Sequence, residues 1–173
     1  SIKNLRSELI VYLGAGTETV AVALGWTIYL LAKNPDKYDK LITEIDRISA
    51  GKPINTSQLK DLVYTDLVIK EALRLYSPSH AIVRDAIETD DYNGIEIPKN
   101  ATIIASSYAM HRNPKYWKNP NEFVPERFLE EPEKYTYFPF GIGKHTCIGR
   151  YLATPLLIYT LAEFVRRYKF TLN

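Results

Sequence analysis

The sequence predicts a mainly α protein with a small β component, and three observations carry the prediction. A long apolar stretch of helical character, Leu9 to Ala32, opens the chain. Two further helical stretches follow before Pro78, and another runs from Ala153 to Tyr168. Between them, the texture changes after His80 to short β-branched runs separated by turn residues.

The first stretch reads "LIVYLGAGTETVAVALGWTIYLLA" and is long enough to cross a bilayer. Against a span, Thr17-Glu18-Thr19 sits near its middle. A carboxylate at a bilayer centre costs about 2.5–3.5 kcal/mol even on the lenient insertion scale. The helical pattern also continues past Asn34-Pro35 into the charged "DKLITEIDRI". A helix buried inside a protein is therefore expected. Asn34-Pro35 stops it and starts a second helix, about Pro35 to Ile48. A third, long helix is capped by Thr56 or Ser57, carries Leu67, Ile69, Leu73 and Leu75, and ends before Pro78. "AIVRDAIETDDYNGIEIPKNATIIAS" reads as three short strands, with Asn93-Gly94 as a hairpin signal and Pro98-Lys99-Asn100 as a second turn. "SYAMHRNPKYW" suggests a short helix broken at Pro114, and residues 119–143 an ordered, loop-like meander. Pro155 falls near the start of the last helix, where proline is tolerated.

Composition fits one ordered domain: 173 residues, 46% hydrophobic and 24% charged. The formal charge of +2 is spread without a basic stripe, which argues against nucleic acid as a partner. Three histidines are too few for a histidine-rich metal site. The lone Cys147 fits an intracellular protein without disulfides, cytoplasmic if no N-terminal anchor exists in the full-length chain. "SIKNLRSELI" lacks signal-peptide features and an initiator methionine, so a piece of a longer chain is expected.

That cysteine sits in "FPFGIGKHTCIGR", Phe138 to Arg150. A thiolate that ligates metal must be held as the anion, and metal coordination, backbone N–H donors and a helix start all lower a thiol pKa. Gly141 and Gly143 carry no Cβ, so the backbone can lie close to a flat partner, and Phe140 can shield the sulfur. A single thiolate as sole protein ligand suits haem iron, because the porphyrin fills the equatorial positions.

The pattern Phe140-Gly141-x-Gly143-x-His145-x-Cys147-x-Gly149 resembles the haem-binding signature of the cytochrome P450 family. The resemblance implies haem b, with Cys147 as iron ligand and His145 facing a haem propionate. Glu71-x-x-Arg74 resembles the family's acid–arginine pair, joined by the meander arginine, here Arg127 of "FVPERF". Two arginine forks can satisfy one carboxylate, so the trio can be buried and can pin the cysteine loop. Ala15-Gly16-x-Glu18-Thr19 resembles the family's oxygen-binding segment. There Gly16 leaves room above the iron, Thr19 spends its hydroxyl on a ligand rather than on the helix, and Glu18 relays protons. Arg84 matches a position that often meets a propionate. Ala15, His80, Ala81, Ile82 and Val83 are expected to line a substrate pocket.

The motifs run in family order through the whole chain, yet amount to less than half of a typical member. Residues 1–173 are thus expected to be the C-terminal, haem-binding portion of a single P450 domain, with the N-terminal part of the same fold as its partner. Two departures stand out. Thr154-Pro155-Leu156 follows Leu152-Ala153 where many members carry an acidic residue, and the chain ends at "KFTLN" where a terminal hairpin is usual. The resemblance implies a monooxygenase that activates O2 with two electrons on a lipophilic small molecule, supplied by an external ferredoxin or flavoprotein reductase. A peroxide-using peroxygenase and a non-enzymatic haem sensor or carrier are the alternatives. The acid–threonine pair favours the O2-dependent reading.

Overall fold

The computed structural model describes residues 2–172. Its elements are α1 (Ile2–Lys33), α2 (Pro35–Ser49), α3 (Val63–Leu75), strands β1 (Ile82–Asp85), β2 (Asp90–Tyr92), β3 (Ile95–Ile97) and β4 (Thr102–Ala105), then α4 (Ser107–Met110) and α5 (Arg150–Arg167). Short 3-10 helices cover Thr56–Asp61, Pro125–Leu129 and Gly143–His145. The predicted class, helical with a minor sheet component, is the observed one.

Asn34 and Pro35 divide α1 from α2 as expected. The Asn34 amide donates to the Leu30 carbonyl at 2.7 Å, satisfying one orphan acceptor at the end of α1, while Pro35 opens α2. Ala50 and Gly51 end α2 at φ 46° and 77°, and the Ala50 N–H returns to Asp46 O at 3.0 Å.

The expected third helix is two pieces. Asn55, not Thr56 or Ser57, is the cap: its side chain accepts from Ser57 N and its own N–H donates to Gln58 Oε1, both at 2.9 Å. The 3-10 turn stops at Leu62, whose ψ of 59° is not helical, and α3 begins afresh. Its first turn has a cap borrowed from α2: Glu44 accepts from Tyr64 N at 2.6 Å and Thr65 N at 2.8 Å. A cap supplied from another helix leaves no mark in the local sequence.

The region after His80 holds four strands rather than three. β1 and β4 pair antiparallel with Arg84 opposite Ile103, and β2 and β3 form the expected hairpin. Asn93 and Gly94 have φ 54° and 83°, the doubly left-handed geometry that a two-residue hairpin requires. Asn100, at φ 67°, sends the chain back so that its N–H meets Ala86 O at 2.8 Å. That second reversal returns Thr102–Ala105 to β1 as a strand of its own. The short helix before Pro114 is present as the single turn α4.

The core lies where α1, α2, α3 and α5 meet. Leu31, Leu41, Val68, Leu161 and Ala162 are wholly buried there, with Leu62, Ile69 and Leu157 almost so. α5 starts at Arg150, three residues earlier than expected, which places Pro155 in its second turn. The acceptor this orphans is the Tyr151 carbonyl, on an exposed residue where water can serve.

A further expectation is met only in part. α1 was expected to be buried, but only Ala23, Thr27, Leu30 and Leu31 are. Those four form one stripe at helical spacing on the C-terminal half, where α2, α3 and α5 lie. Leu5, Leu9, Ile10, Val11 and Leu13 are exposed, because no described element stands beside them. α1 is long and apolar enough, by length and composition, to cross a membrane.

Candidate haem-thiolate site

The loop around Cys147 is held by its own backbone. Phe138 O accepts from Gly141 N at 3.0 Å, Phe140 O from Cys147 N at 2.8 Å, and Gly143 O from both Thr146 N (3.1 Å) and Thr146 Oγ1 (2.8 Å). Gly141 and Gly143 have φ 76° and 70°, a region costly for any residue with a Cβ. A Cβ on Gly141 would also stand 3.6 Å from His145 O and 4.0 Å from Ile82 Cδ1. The cysteine loop therefore lies against β1, which brings the two sequence-predicted segments together.

Cys147 is a free, exposed thiol. Gly149 caps α5, and a Cβ there would be 3.7 Å from Cys147 Sγ, so the sulfur lies beside the positive end of that helix. Phe140 is half-buried against the main core, so its ring serves packing as well as any shielding of the sulfur. His145 is exposed.

Behind the loop stands the charged trio, and its geometry is the anticipated one. Glu71 Oε2 accepts from Arg74 Nε at 2.7 Å; Oε1 accepts from Arg74 Nη2, Arg127 Nε and Val124 N, each at 2.9 Å. Glu71 and Arg74 are fully buried and Arg127 nearly so. Arg74 also donates to the carbonyls of His111, Pro120 (2.8 Å) and Glu122 (3.2 Å), and its guanidinium stacks on Trp117 at 5.1 Å. Arg127 adds bonds to Lys118 O (3.0 Å) and Asn119 O (3.4 Å). All five N–H groups of Arg74 are thus used, Arg127 makes three bonds at the edge of the cluster, and the Glu71 carboxylate is paired with both cations.

Two residues in this region escaped sequence reasoning. His111 is fully buried between Arg74 and Phe138, and burial lowers its pKa to about 4. Tyr137 donates its hydroxyl to Lys70 O at 3.0 Å, and burial pushes its pKa well up. A histidine or tyrosine in a mixed polar run has no periodic signature, so neither position announced itself.

The remaining candidates lie in more open settings. Ala15, Gly16, Glu18 and Thr19 are exposed on α1. Thr19 Oγ1 donates to Ala15 O at 2.6 Å, so here its proton is spent on its own helix, contrary to expectation. In an exposed helix interior the i−4 carbonyl is the nearest acceptor. Arg84 is exposed on β1 and donates to Val83 O at 2.7 Å. His80 lines a small cavity of about 90 Å³ with Trp26 of α1, Tyr76 and Tyr108, while Ala81 and Ile82 are half-buried and Val83 exposed. A larger cleft, about 560 Å³, opens between the end of α1, α2 and residues 165–171, and holds none of the predicted site residues.

The donor set tests what Cys147 can hold. Among the described residues, no three His, Cys, Asp or Glu side chains converge on a common point. Among the described residues a metal on this sulfur would find no cluster of further side-chain ligands, a donor set that suits haem iron, whose porphyrin supplies the equatorial positions. The exposed sulfur and the two left-handed glycines beneath it fit a flat macrocycle.

Comparison with known proteins agrees. The family model described as Cytochrome P450 matches residues 1–173. The chain is 36% identical to cytochrome P450 3A41 of Mus musculus over 172 residues, which is 96% of this chain and 34% of that protein. It is 35% identical to cytochrome P450 3A5 of Homo sapiens over 171 residues (96% and 34%). It is 37% identical to corytuberine synthase of Coptis japonica over 165 residues (92% and 34%). The chain spans about a third of the length of the curated relatives it matches. With its glycine-rich cysteine loop, its buried acid–arginine trio and a match over its whole length, the chain belongs to the cytochrome P450 family.

Proposed function

We propose that residues 1–173 are the C-terminal, haem-binding portion of a haem-thiolate monooxygenase, with Cys147 as the proximal ligand. The observation that carries this reading is the exposed sulfur on a glycine loop against the start of α5, with no cluster of three or more His, Cys, Asp or Glu among the described residues. Haem held there would supply two-electron, two-proton activation of O2, with one oxygen atom entering a C–H bond of the substrate and the other leaving as water.

Each side chain then has a defined task. Cys147 would be the residue that holds the iron, its sulfur lying beside the positive end of α5. Gly141 and Gly143 keep the loop low against the macrocycle. His145 and Arg84 supply cationic or donor groups to the propionates, which requires Arg84 to leave the Val83 carbonyl. Gly16 leaves space on the opposite face. Thr19 accepts or passes a proton through its hydroxyl oxygen, and Glu18, exposed and without an ion pair among the described residues, exchanges that proton with solvent. Ala15, Ala81, Ile82 and Val83 present apolar surface, which suits a lipophilic small molecule, and His80 marks the rim. An external ferredoxin or flavoprotein reductase delivers electrons, with Lys144 and Arg150 placed on either side of Cys147 to meet an acidic partner. The N-terminal part of the same fold completes the pocket.

The test is the ferrous–CO absorption spectrum of the full-length haem protein and of Cys147→Ser. A strongly red-shifted Soret band in the wild type, lost in the variant, is expected. Folded, haem-bound wild type without that band refutes thiolate ligation.

A further inference from the structure

The buried trio does not itself reach the cysteine loop. The bonds of Glu71, Arg74 and Arg127 end on Lys118, Asn119, Pro120, Glu122 and Val124 of the meander, and on His111. One side chain carries the connection onward. Arg74 Nη1 donates to the His111 carbonyl, the His111 Nδ1 lies 3.2 Å from the Arg74 carbonyl, and Phe138 N donates to His111 Nε2 at 2.9 Å.

These partners fix the ring's state. A backbone N–H can only donate, so Nε2 is the acceptor and bears no proton. The Arg74 carbonyl can only accept, so the proton is on Nδ1. The imidazole is neutral, and both its nitrogens are satisfied. The charged groups nearest it are Arg74 and Arg112, two cations that oppose protonation, and the rings of Trp117, Tyr137 and Phe138 enclose it. From Phe138 the path continues through the loop: Phe138 O holds Gly141 N, and Phe140 O holds Cys147 N. The neighbouring ties are the Ser77 hydroxyl to Pro139 O at 3.4 Å, the outer limit of a hydrogen bond, and Tyr137 to Lys70 O.

We propose that neutral His111 is the positioning residue that transmits the rigidity of the Glu71–Arg74–Arg127 trio to the loop presenting the Cys147 thiolate. The inference rests on reading Cys147 as the haem ligand. It assigns a purpose to the trio that the trio's own bonds do not provide. It also requires a side chain with a donor at one end and an acceptor at the other, a condition glutamine meets and phenylalanine does not.

The test compares full-length wild type, His111→Phe and His111→Gln by haem content, ferrous–CO spectrum and amide hydrogen exchange. In His111→Phe the Phe138 N–H loses its buried acceptor, and its exchange should rise about tenfold or more. The red-shifted band should give way in part to the shorter-wavelength band of a haem without its thiolate, at equal haem content. His111→Gln should restore most of the band. Full retention of the band in folded His111→Phe, or no recovery in a folded, haem-bound His111→Gln, overturns the proposal. Should His111→Phe fail to fold, wild-type exchange decides: a Phe138 amide exchanging at the unprotected rate refutes the link. A wild type without the band defeats the thiolate reading instead, and this inference with it.

Discussion

Replacing Glu71 by glutamine changes one oxygen to an amino group and removes one charge, with hardly any change of shape. The structure shows why this small change is costly. Oε1 accepts three hydrogen bonds and Oε2 accepts one, and both atoms are fully buried. Turning the new amino group toward Oε1's partners opposes three donors. Turning it toward Arg74 Nε opposes one, so the second orientation is adopted. Arg74 then keeps its charge at 0% exposure with no anion beside it. Removing one partner of a buried pair costs about 3–5 kcal/mol, a large part of the roughly 5–15 kcal/mol that holds a domain folded. Replacing both Glu71 and Arg74 by apolar residues should not rescue the protein, although buried pairs often tolerate it. Arg74 also satisfies three backbone carbonyls, and each stranded acceptor costs about 1–3 kcal/mol. Arg127→Ala is milder, since that side chain is 12% exposed and water can reach Glu71 in its place. Urea unfolding of the full-length haem protein measures these differences as shifts of midpoint at constant slope. A loss below about 1 kcal/mol for Glu71→Gln would refute the argument that this carboxylate is the only counter-charge to Arg74.

Thr19→Ala removes an exposed hydroxyl whose back-bond contributes little, so stability should stay within about 0.5 kcal/mol while product formed per electron consumed falls; unchanged coupling in a stoichiometric assay counts against the proton role. Gly141→Ala places a Cβ at φ 76° and should cost about 1 kcal/mol or more in a thermal melt, with reduced haem retention; an unaffected melt would mean the loop readily takes another path. Acid acts in two windows. His111 is neutral when folded, with its pKa lowered by burial from 6.5 to about 4. The unfolded chain therefore binds the extra proton first, and stability falls as pH drops from about 6.5 through 4, by about 3 kcal/mol in all. Glu163 follows at lower pH: its bonds to Arg166 hold it at about 2, so its contribution is lost as pH falls from 4.5 through 2. In His111→Gln the upper window should disappear from the pH dependence of unfolding while the lower remains; an unchanged upper window would show that another group titrates there.

The cysteine loop was legible because its requirements are local. Gly141 and Gly143 need left-handed backbone, and only glycine adopts it freely, so the letters themselves report the conformation. The hairpin at Asn93-Gly94 was legible for the same reason. The trio could be read as a spacing on α3 plus an arginine in "FVPERF", but not its depth of burial. What stayed hidden depends on partners distant in sequence. Glu44 caps α3 from 20 residues away, and His111 joins Arg74 to Phe138 across 37 residues on one side and 27 on the other. The exposure of the N-terminal half of α1 was equally invisible, since an apolar run states what must be covered and not what covers it.

The two faces of the proposed site are held in different ways, and this governs how each responds to change. On the Cys147 face, every turn of the loop is tied by backbone bonds, and His111 ties the loop's first residue to a buried ion cluster. A local substitution there acts locally. On the other face, no described element outside α1 stands beside Ala15 to Thr19. The nearest anchor is Val20, which touches the core, followed by the buried stripe of Ala23, Thr27, Leu30 and Leu31. Among the described residues, the contacts of α1 with the rest of the fold begin at Val20. At about 1.5 Å per residue, Gly16 projects roughly 6 Å beyond the first anchor. Thr27, whose hydroxyl is spent on Ala23 O at 2.7 Å, belongs to the buried stripe that seats α1 on the core, so a substitution there would act on Ala15 to Thr19 through the helix rather than by direct contact.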